Sequence, residues 1–321
     1  MLPLRSLSSA RSIALTCPGQ GLKLCSFLAQ YSKHKPILEK LTQEVDEALG
    51  EHFSPKLFDT LSEVNSQVFT RNDLFQPAVV VTTYANYLLL KHLHGLDLMA
   101  DPRTTVLAGH SLGEYTAHIF AGNLSVGTAV KIARLRGSFL RLLAEDSTEQ
   151  YTMRAILCKS DNFQFLESYF NDLGVLANIN SRTQLTIAGT ESHVNKVLEQ
   201  LRQEKGKGIA RAVSVPAAAP FHTEIVRPLE EEIRAAVNKW GIEGSMKKPI
   251  ISNLTGEMTY DYSTAIENTI NVNSRPVQWV KTMDLIVRSG VTDVVHLGPG
   301  TLLHDLCTRL DLQITSHTAA L

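Results

Sequence analysis

Four cysteines, Cys17, Cys25, Cys158 and Cys307, are spread over 321 residues with no CxxC spacing. So sparse a placement argues against a disulfide scaffold and a thiolate metal site, and fits a reducing compartment. Long apolar runs are missing too: the one at 87–90 is broken by Lys91 and His92, far short of the roughly 20 residues a membrane helix needs. Neither sign of charge is in excess, with 31 Lys+Arg against 32 Asp+Glu and a net charge of -1. Without a global basic field, nucleic acid is not an expected partner, and an acidic partner must be met by a local patch. No internal repeat or low-complexity linker occurs. What remains, 44% hydrophobic and 20% charged residues, is the composition of a globular protein long enough for a full core.

Acid is absent from one stretch in particular. The first acidic residue is Glu39, and residues 1–12 hold Arg5, Arg11 and four serines. That composition suits a mitochondrial transit peptide and a matrix location, a short frayed N-terminus being the alternative.

Residues 13–16 read as a buried strand running into Cys17-Pro18-Gly19-Gln20-Gly21, a turn rich in glycine. Gln76-Pro77 is expected to open an apolar helix from Ala78 to about His94, with proline in its first turn. A strand at 105–108 leads into Gly109-His110-Ser111-Leu112-Gly113 and a helix through Ala121, and Ser125 caps the next helix to about Leu143. The rhythm then changes to strand, helix, strand, strand, helix, strand between Tyr151 and Val215, the split unit of a ferredoxin-like subdomain. Strand and helix units resume at 250–253, 276–288 and 291–297, the last ending in Gly298-Pro299-Gly300. The expected domains are a core from 13–146 and 214–321, with 147–213 inserted as a small α+β subdomain.

Gly109 to Gly113 match GxSxG, and the strand before and helix after favour a nucleophilic Ser111 over a mere helix cap. A serine needs a base, and the chain has eleven histidines. His110 is aimed away by the sharp turn and suits a supporting role. His92 and His94 lie on different helix faces, which disfavours a metal pair. His222 ends a proline-braced loop where the inserted subdomain returns to the core, a good place for a base, though a lone histidine is more often structural. Arg136 has Ile132, Ala133, Phe139 and Leu140 as its helical neighbours, so it points from the apolar face and needs an anion. A structural ion pair and a bound carboxylate both satisfy that need. Gly137 permits close approach of another backbone or of a ligand, which tilts the choice toward the carboxylate.

Pro18-Gly19-Gln20-Gly21, Gln76-Pro77-Ala78, Gly109-His110-Ser111-Leu112-Gly113-Glu114-Tyr115, Arg136-Gly137, Phe221-His222, Pro276-Val277-Gln278-Trp279 and Gly298-Pro299-Gly300, in this order, resemble malonyl-CoA:acyl carrier protein transacylases. The resemblance runs from Ile13 to about Leu310 and implies an α/β-hydrolase-like parallel-sheet core. It implies that Ser111 takes malonyl from malonyl-CoA as an ester and passes it to the phosphopantetheine thiol of holo acyl carrier protein, with no cofactor and no metal. His222 would be the base, oriented by a main-chain carbonyl near Val272 or Asn273. The N–H groups of Leu112 and Gln20 would form the oxyanion hole, Arg136 would pair with the malonyl carboxylate, and Gln76, His110 and Phe221 would line the pocket. Two departures stand out: Lys23 replaces the usual glutamine after GQG, and the run before His222 is not the common one. A monomer serving mitochondrial type II fatty-acid synthesis is expected. The basic cluster Arg202, Lys205, Lys207 and Arg211, interrupted by Glu204, is a candidate docking patch for an acidic carrier. A serine hydrolase or thioesterase, and an idle carrier-binding module, are the alternatives.

Overall fold

The computed structural model describes residues 11–21, 24, 31–50, 71–205, 209–215, 219–310 and 312–319. Lys23 and Cys25, the first ten residues of the expected transit peptide, Pro216 to Ala218 of the run before His222, and Lys207 lie outside them.

The core is built from both ends of the chain. The first part supplies β1 (Ile13–Cys17), α1 (Lys35–Leu49), α2 (Asn72–His94), β2 (Thr104–Gly109), α3 (Gly113–Ala121) and α4 (Val126–Asp146). Next come β3 (Tyr151–Cys158), α5 (Phe163–Asp172), β4 (Leu176–Ser181), β5 (Gln184–Thr190), α6 (Glu191–Lys205) and β6 (Ile209–Ser214). The chain closes with α7 (Arg227–Trp240), β7 (Ile250–Ile251), β8 (Met258–Thr259), α8 (Tyr262–Asn271), α9 (Trp279–Arg288), β9 (Asp293–Leu297), α10 (Leu302–Thr308) and β10 (Thr315–Ala319). The large sheet has the order β10-β9-β1-β2-β7-β8, parallel except for β8. The fold class is thus a parallel α/β core, as the sequence implies. β3 to β6 form a second, four-stranded antiparallel sheet of order β4-β5-β3-β6, the ferredoxin-like arrangement.

β1 is buried along its whole length, as a central parallel strand covered on both faces must be. β9, β1 and β2 lie side by side and run the same way, so the loops at 298–300, 17–21 and 109–113 gather at one end of the sheet. The C-terminal edge of a parallel sheet is where such folds place their ligands. Close contact between these loops depends on Gly113, where a Cβ would overlap the Cys17 carbonyl. The small sheet is pinned over this end: Ile179 N–H donates to Val277 O and Val277 N–H to Ala177 O, each at 2.9 Å. Trp279 is fully buried below that junction, its ring edge-on to His110.

Several boundaries differ from the sequence reading. α2 begins at Asn72, so Pro77 sits inside the helix and not at its start. Proline removes the N–H that would reach the Asp73 carbonyl, and Arg134 donates to that carbonyl instead, at 3.2 Å. The strand at 250–253 is only two residues long, the helix expected from Pro276 starts at Trp279, and β10 is an edge strand that the sequence reading does not include. Gly137 serves the first of its two possible uses: a Cβ there would overlap the backbone of Asn72 and Asp73, so the glycine seats α4 against α2.

Candidate active site

Ser111 stands at the turn between β2 and α3 with φ 52°, in the left-handed region that favours glycine. The conformation is held from three sides. Asn253 Oδ1, from the segment after β7, accepts the Ser111 N–H at 2.7 Å, and its Nδ2 donates to the Gly109 carbonyl. Asn253 is itself fixed through its N–H by Glu114 Oε1 at 3.0 Å. His110 N–H donates to Cys17 O at 2.9 Å, tying this turn to the loop after β1.

Ser111 Oγ lies 2.7 Å from His222 Nε2. His222 Nδ1 lies 2.8 Å from Val272 O, and the His222 N–H donates to Asn273 O at 2.9 Å. A carbonyl only accepts, so Nδ1 carries the ring proton and Nε2 offers a lone pair to the serine hydroxyl. Burial, with the Arg136 charge adding to it, pushes the His222 pKa down to about 3. The imidazole is therefore neutral at neutral pH and able to take a proton.

Arg136 is 2% exposed. Its Nε donates to Asn273 Oδ1 at 2.8 Å, Nη1 to Gln76 Oε1 at 3.0 Å and Nη2 to Ser111 Oγ at 3.3 Å. The Phe221 ring lies under the guanidinium, 4.2 Å from its carbon. All of these partners are neutral, and among the described residues no carboxylate pairs with this arginine. Burial lowers its pKa to about 10, which leaves it charged at neutral pH. A buried cation with only neutral partners is costly unless an anion arrives. Gln76 is fully buried as well, and its Nε2 has no hydrogen-bond partner among the described residues.

A cavity of about 310 Å³ opens over these groups, enough for a small acyl group and part of a longer arm. The core contributes Gln20, Ser111, Arg136, Phe221 and His222, and the small sheet contributes Met153, Asn178, Asn180 and Thr186. His110 lines it too, its Nε2 2.9 Å from Asn180 Oδ1, and burial lowers its pKa. Gln20 is held by its side chain, which donates to Asn72 Oδ1 at 2.6 Å. Leu112 directly precedes α3, where N–H groups have no intrahelical acceptor. Ser111, His222, Arg136, Gln20, His110 and Phe221 are thus brought to one cavity, with Gln76 against the arginine.

His92 and His94 lie at the end of α2, and no metal-binding group of three residues occurs among the described residues. Arg202 is largely exposed on α6 beside Glu199, and Arg211 is exposed on β6. Two side chains escape the sequence reading. Asn253 follows β7 at the ligand-binding edge, a position that could have flagged it. Asn273 is named beforehand only for its main-chain carbonyl; its side chain sits in a turn, where asparagine is commonplace, and nothing in the sequence marks its bond to Arg136.

A serine, a neutral histidine and a buried cation at the C-terminal edge of a parallel sheet define an α/β enzyme equipped for acyl transfer. Residues 16–306 match the acyl transferase domain family. The chain belongs to that family and is an acyltransferase. It is 28% identical over 308 residues to the malonyl CoA-acyl carrier protein transacylase of Bacillus subtilis strain 168, covering 94% of this chain and 91% of that protein. It is 26% identical over 300 residues to the transacylase of the same name from Salmonella typhimurium, covering 92% of each. Among solved structures, an acyl-carrier-protein S-malonyltransferase from Bartonella henselae superposes with a TM-score of 0.83 at 25% identity, over 97% of this chain and 96% of that one. A malonyl-CoA:acyl carrier protein transacylase from Xanthomonas oryzae gives a TM-score of 0.83 at 26% identity, over 98% and 96%.

Proposed function

We propose that this acyltransferase moves malonyl from malonyl-CoA to the phosphopantetheine thiol of an acyl carrier protein, by way of a malonyl ester on Ser111, in mitochondrial type II fatty-acid synthesis. The observation that carries this reading is Arg136: a buried guanidinium with neutral partners, one nitrogen 3.3 Å from Ser111 Oγ. An acyl group with its own carboxylate supplies the missing anion, and a planar guanidinium grips it by two parallel hydrogen bonds. The names of the relatives point the same way.

In the first half-reaction His222 Nε2 takes the Ser111 proton as Oγ attacks the thioester carbonyl carbon. The N–H groups of Leu112 and Gln20 receive the developing oxyanion, each such donor worth about 3 to 4 kcal/mol. Collapse breaks the C–S bond, and the proton passes from His222 to the departing coenzyme A thiolate. The carrier thiol then gives its proton to His222 and attacks the ester. Ser111 leaves with that proton restored. The dyad balances both steps, so no cofactor or metal is called for.

A hydrolase reading is less well supported, because the partner that orients His222 is the neutral Val272 carbonyl and not an acid. The mitochondrial matrix is proposed from the arginine and serine content of residues 1–12, and the enzyme is proposed to act as a monomer. Incubation with malonyl-CoA and a mitochondrial holo acyl carrier protein, scored by carrier mass, tests the transfer. A carrier that gains no malonyl while malonyl-CoA is hydrolysed would favour the hydrolase.

A further inference from the structure

We infer that Asn273 is a specificity-determining positioning residue, which orients Arg136 for a substrate carboxylate without neutralising it. The inference rests on the malonyl-transfer reading above.

Asn273 is 2% exposed and sits in the 3-10 turn Val272–Ser274, directly after α8. Its Oδ1 accepts from Arg136 Nε at 2.8 Å. Its Nδ2 donates to Ile270 O at 2.9 Å and lies 3.1 Å from both Thr269 O and Tyr115 Oη. Thr269 and Ile270 belong to the last turn of α8, where carbonyls run short of helical donors, the cap N–H of Val272 reaching Asn268 O and Ile270 O. A carbonyl can only accept and a guanidinium can only donate, so this amide has a single orientation that satisfies both sides. Leucine would serve neither neighbour. Aspartate would set an oxygen against two helix carbonyls.

Charge gives the asparagine its significance. A carboxylate at hydrogen-bond distance from Arg136 Nε would form an internal ion pair and leave little attraction for an incoming anion. The amide oxygen fixes the guanidinium plane and cancels none of its charge. With Nε on Asn273 and Nη1 on Gln76, the arginine keeps Nη2 beside Ser111 Oγ. The same turn positions His222, through Val272 O and Asn273 O. One rigid turn therefore sets both the selectivity arginine and the base.

The test compares kcat/KM for malonyl-CoA and acetyl-CoA in wild type, Asn273→Ala, Asn273→Ser, Asn273→Asp and Arg136→Ala, with thermal unfolding of each. The Asn273 variants are expected to lower the malonyl-to-acetyl ratio by about tenfold or more, with Asn273→Asp raising KM for malonyl-CoA most. A purely structural role would lower both substrates in parallel and leave the ratio alone. Should the buried carboxylate of Asn273→Asp prevent folding, the neutral Ala and Ser variants decide the question. If Arg136→Ala leaves the ratio unmoved, the substrate carboxylate is held by another group, and the role of Arg136 on which this inference rests fails. If Arg136→Ala moves it while folded Asn273→Ala and Asn273→Ser stay within about twofold of wild type, the role of Asn273 is overturned.

Discussion

Ser111 and His222 are the two non-glycine residues with positive φ among the described residues, at 52° and 61°, and their side chains meet at 2.7 Å. Left-handed backbone costs an L-residue roughly 1–2 kcal/mol, and such outliers cluster at functional sites. Each is held by the hydrogen bond that its own N–H donates, Ser111 to Asn253 Oδ1 and His222 to Asn273 O. The strain aims the hydroxyl and the imidazole at each other across 111 positions of the sequence.

That strain is measurable. Ser111→Gly and Ser111→Ala both delete the hydroxyl, but only glycine accepts φ 52° freely. The glycine variant is expected to be more stable than the alanine variant by about 1 kcal/mol, read as a higher midpoint in thermal or urea unfolding. Equal midpoints would mean that the elbow is unstrained.

The covalent step has its own readout. Intact mass after incubation with malonyl-CoA is expected to show one malonyl adduct on the wild type and none on Ser111→Ala. His222→Ala is expected to slow adduct formation and its discharge to carrier thiol by about a hundredfold or more each, with the fold intact. An adduct that persists on Ser111→Ala would remove Ser111 as nucleophile.

Much of this site is legible in the sequence because its chemistry is local. GxSxG between a strand and a helix, and an arginine among Ile132, Ala133, Phe139 and Leu140, are patterns within one turn or one helix. The parallel core with an inserted α+β unit is likewise readable from the order of strands and helices. Long-range pairing is not. The start of α2 is hidden because the Asp73 carbonyl orphaned by Pro77 is satisfied by Arg134, 61 positions away. Asn253 and Asn273 act through contacts 142 and 137 positions off, and a lone asparagine announces no partner.

Glu114 supplies a pH dependence whose sign can be worked out. It is fully buried, and burial raises its pKa from 4.5 to about 8, against the Asn253 N–H that favours the ionised form. Between those values the folded chain holds a proton that the unfolded chain has lost, so this group's contribution is full below about pH 4.5 and is lost as pH rises toward 8. Glu114→Gln keeps an acceptor for Asn253 and removes the titration. Its stability relative to wild type is expected to grow with pH from 5 to 8, by up to about 1.4 kcal/mol per pH unit. The buried His118, His222 and His296, each lowered to about 3, act in the opposite sense but are common to both proteins and cancel. A difference that stays flat with pH would refute the buried-acid assignment.

Carrier docking is expected to use the exposed Arg202 and Arg211. Reversing both to glutamate should raise KM for an acidic carrier several-fold, weaken its salt dependence, and leave acylation by malonyl-CoA alone unchanged. A carrier KM that does not respond, at low and at physiological salt, places docking elsewhere.

Arg136→Ala is expected to turn a malonyl transferase into a poor one that tolerates acetyl. Helical spacing puts the guanidinium on the apolar face, and the fold leaves it 2% exposed among Asn273, Gln76, Ser111 and the Phe221 ring. Since none of these is an anion, a malonyl carboxylate entering the cavity would find its charge partner in the buried arginine. Removing the arginine strands that carboxylate, at a cost of about 3–5 kcal/mol, equivalent to roughly a hundred- to a few thousandfold in kcat/KM for malonyl-CoA. Acetyl carries no such charge and escapes the penalty. It also loses little by the change, because a neutral acyl group gains nothing from a guanidinium left unpaired beside it. The ratio of kcat/KM for the two thioesters, in both proteins, reads the difference free of any general loss of activity. If the ratio moves by less than about tenfold, Arg136 is a structural member of the core and the carboxylate is held by another group.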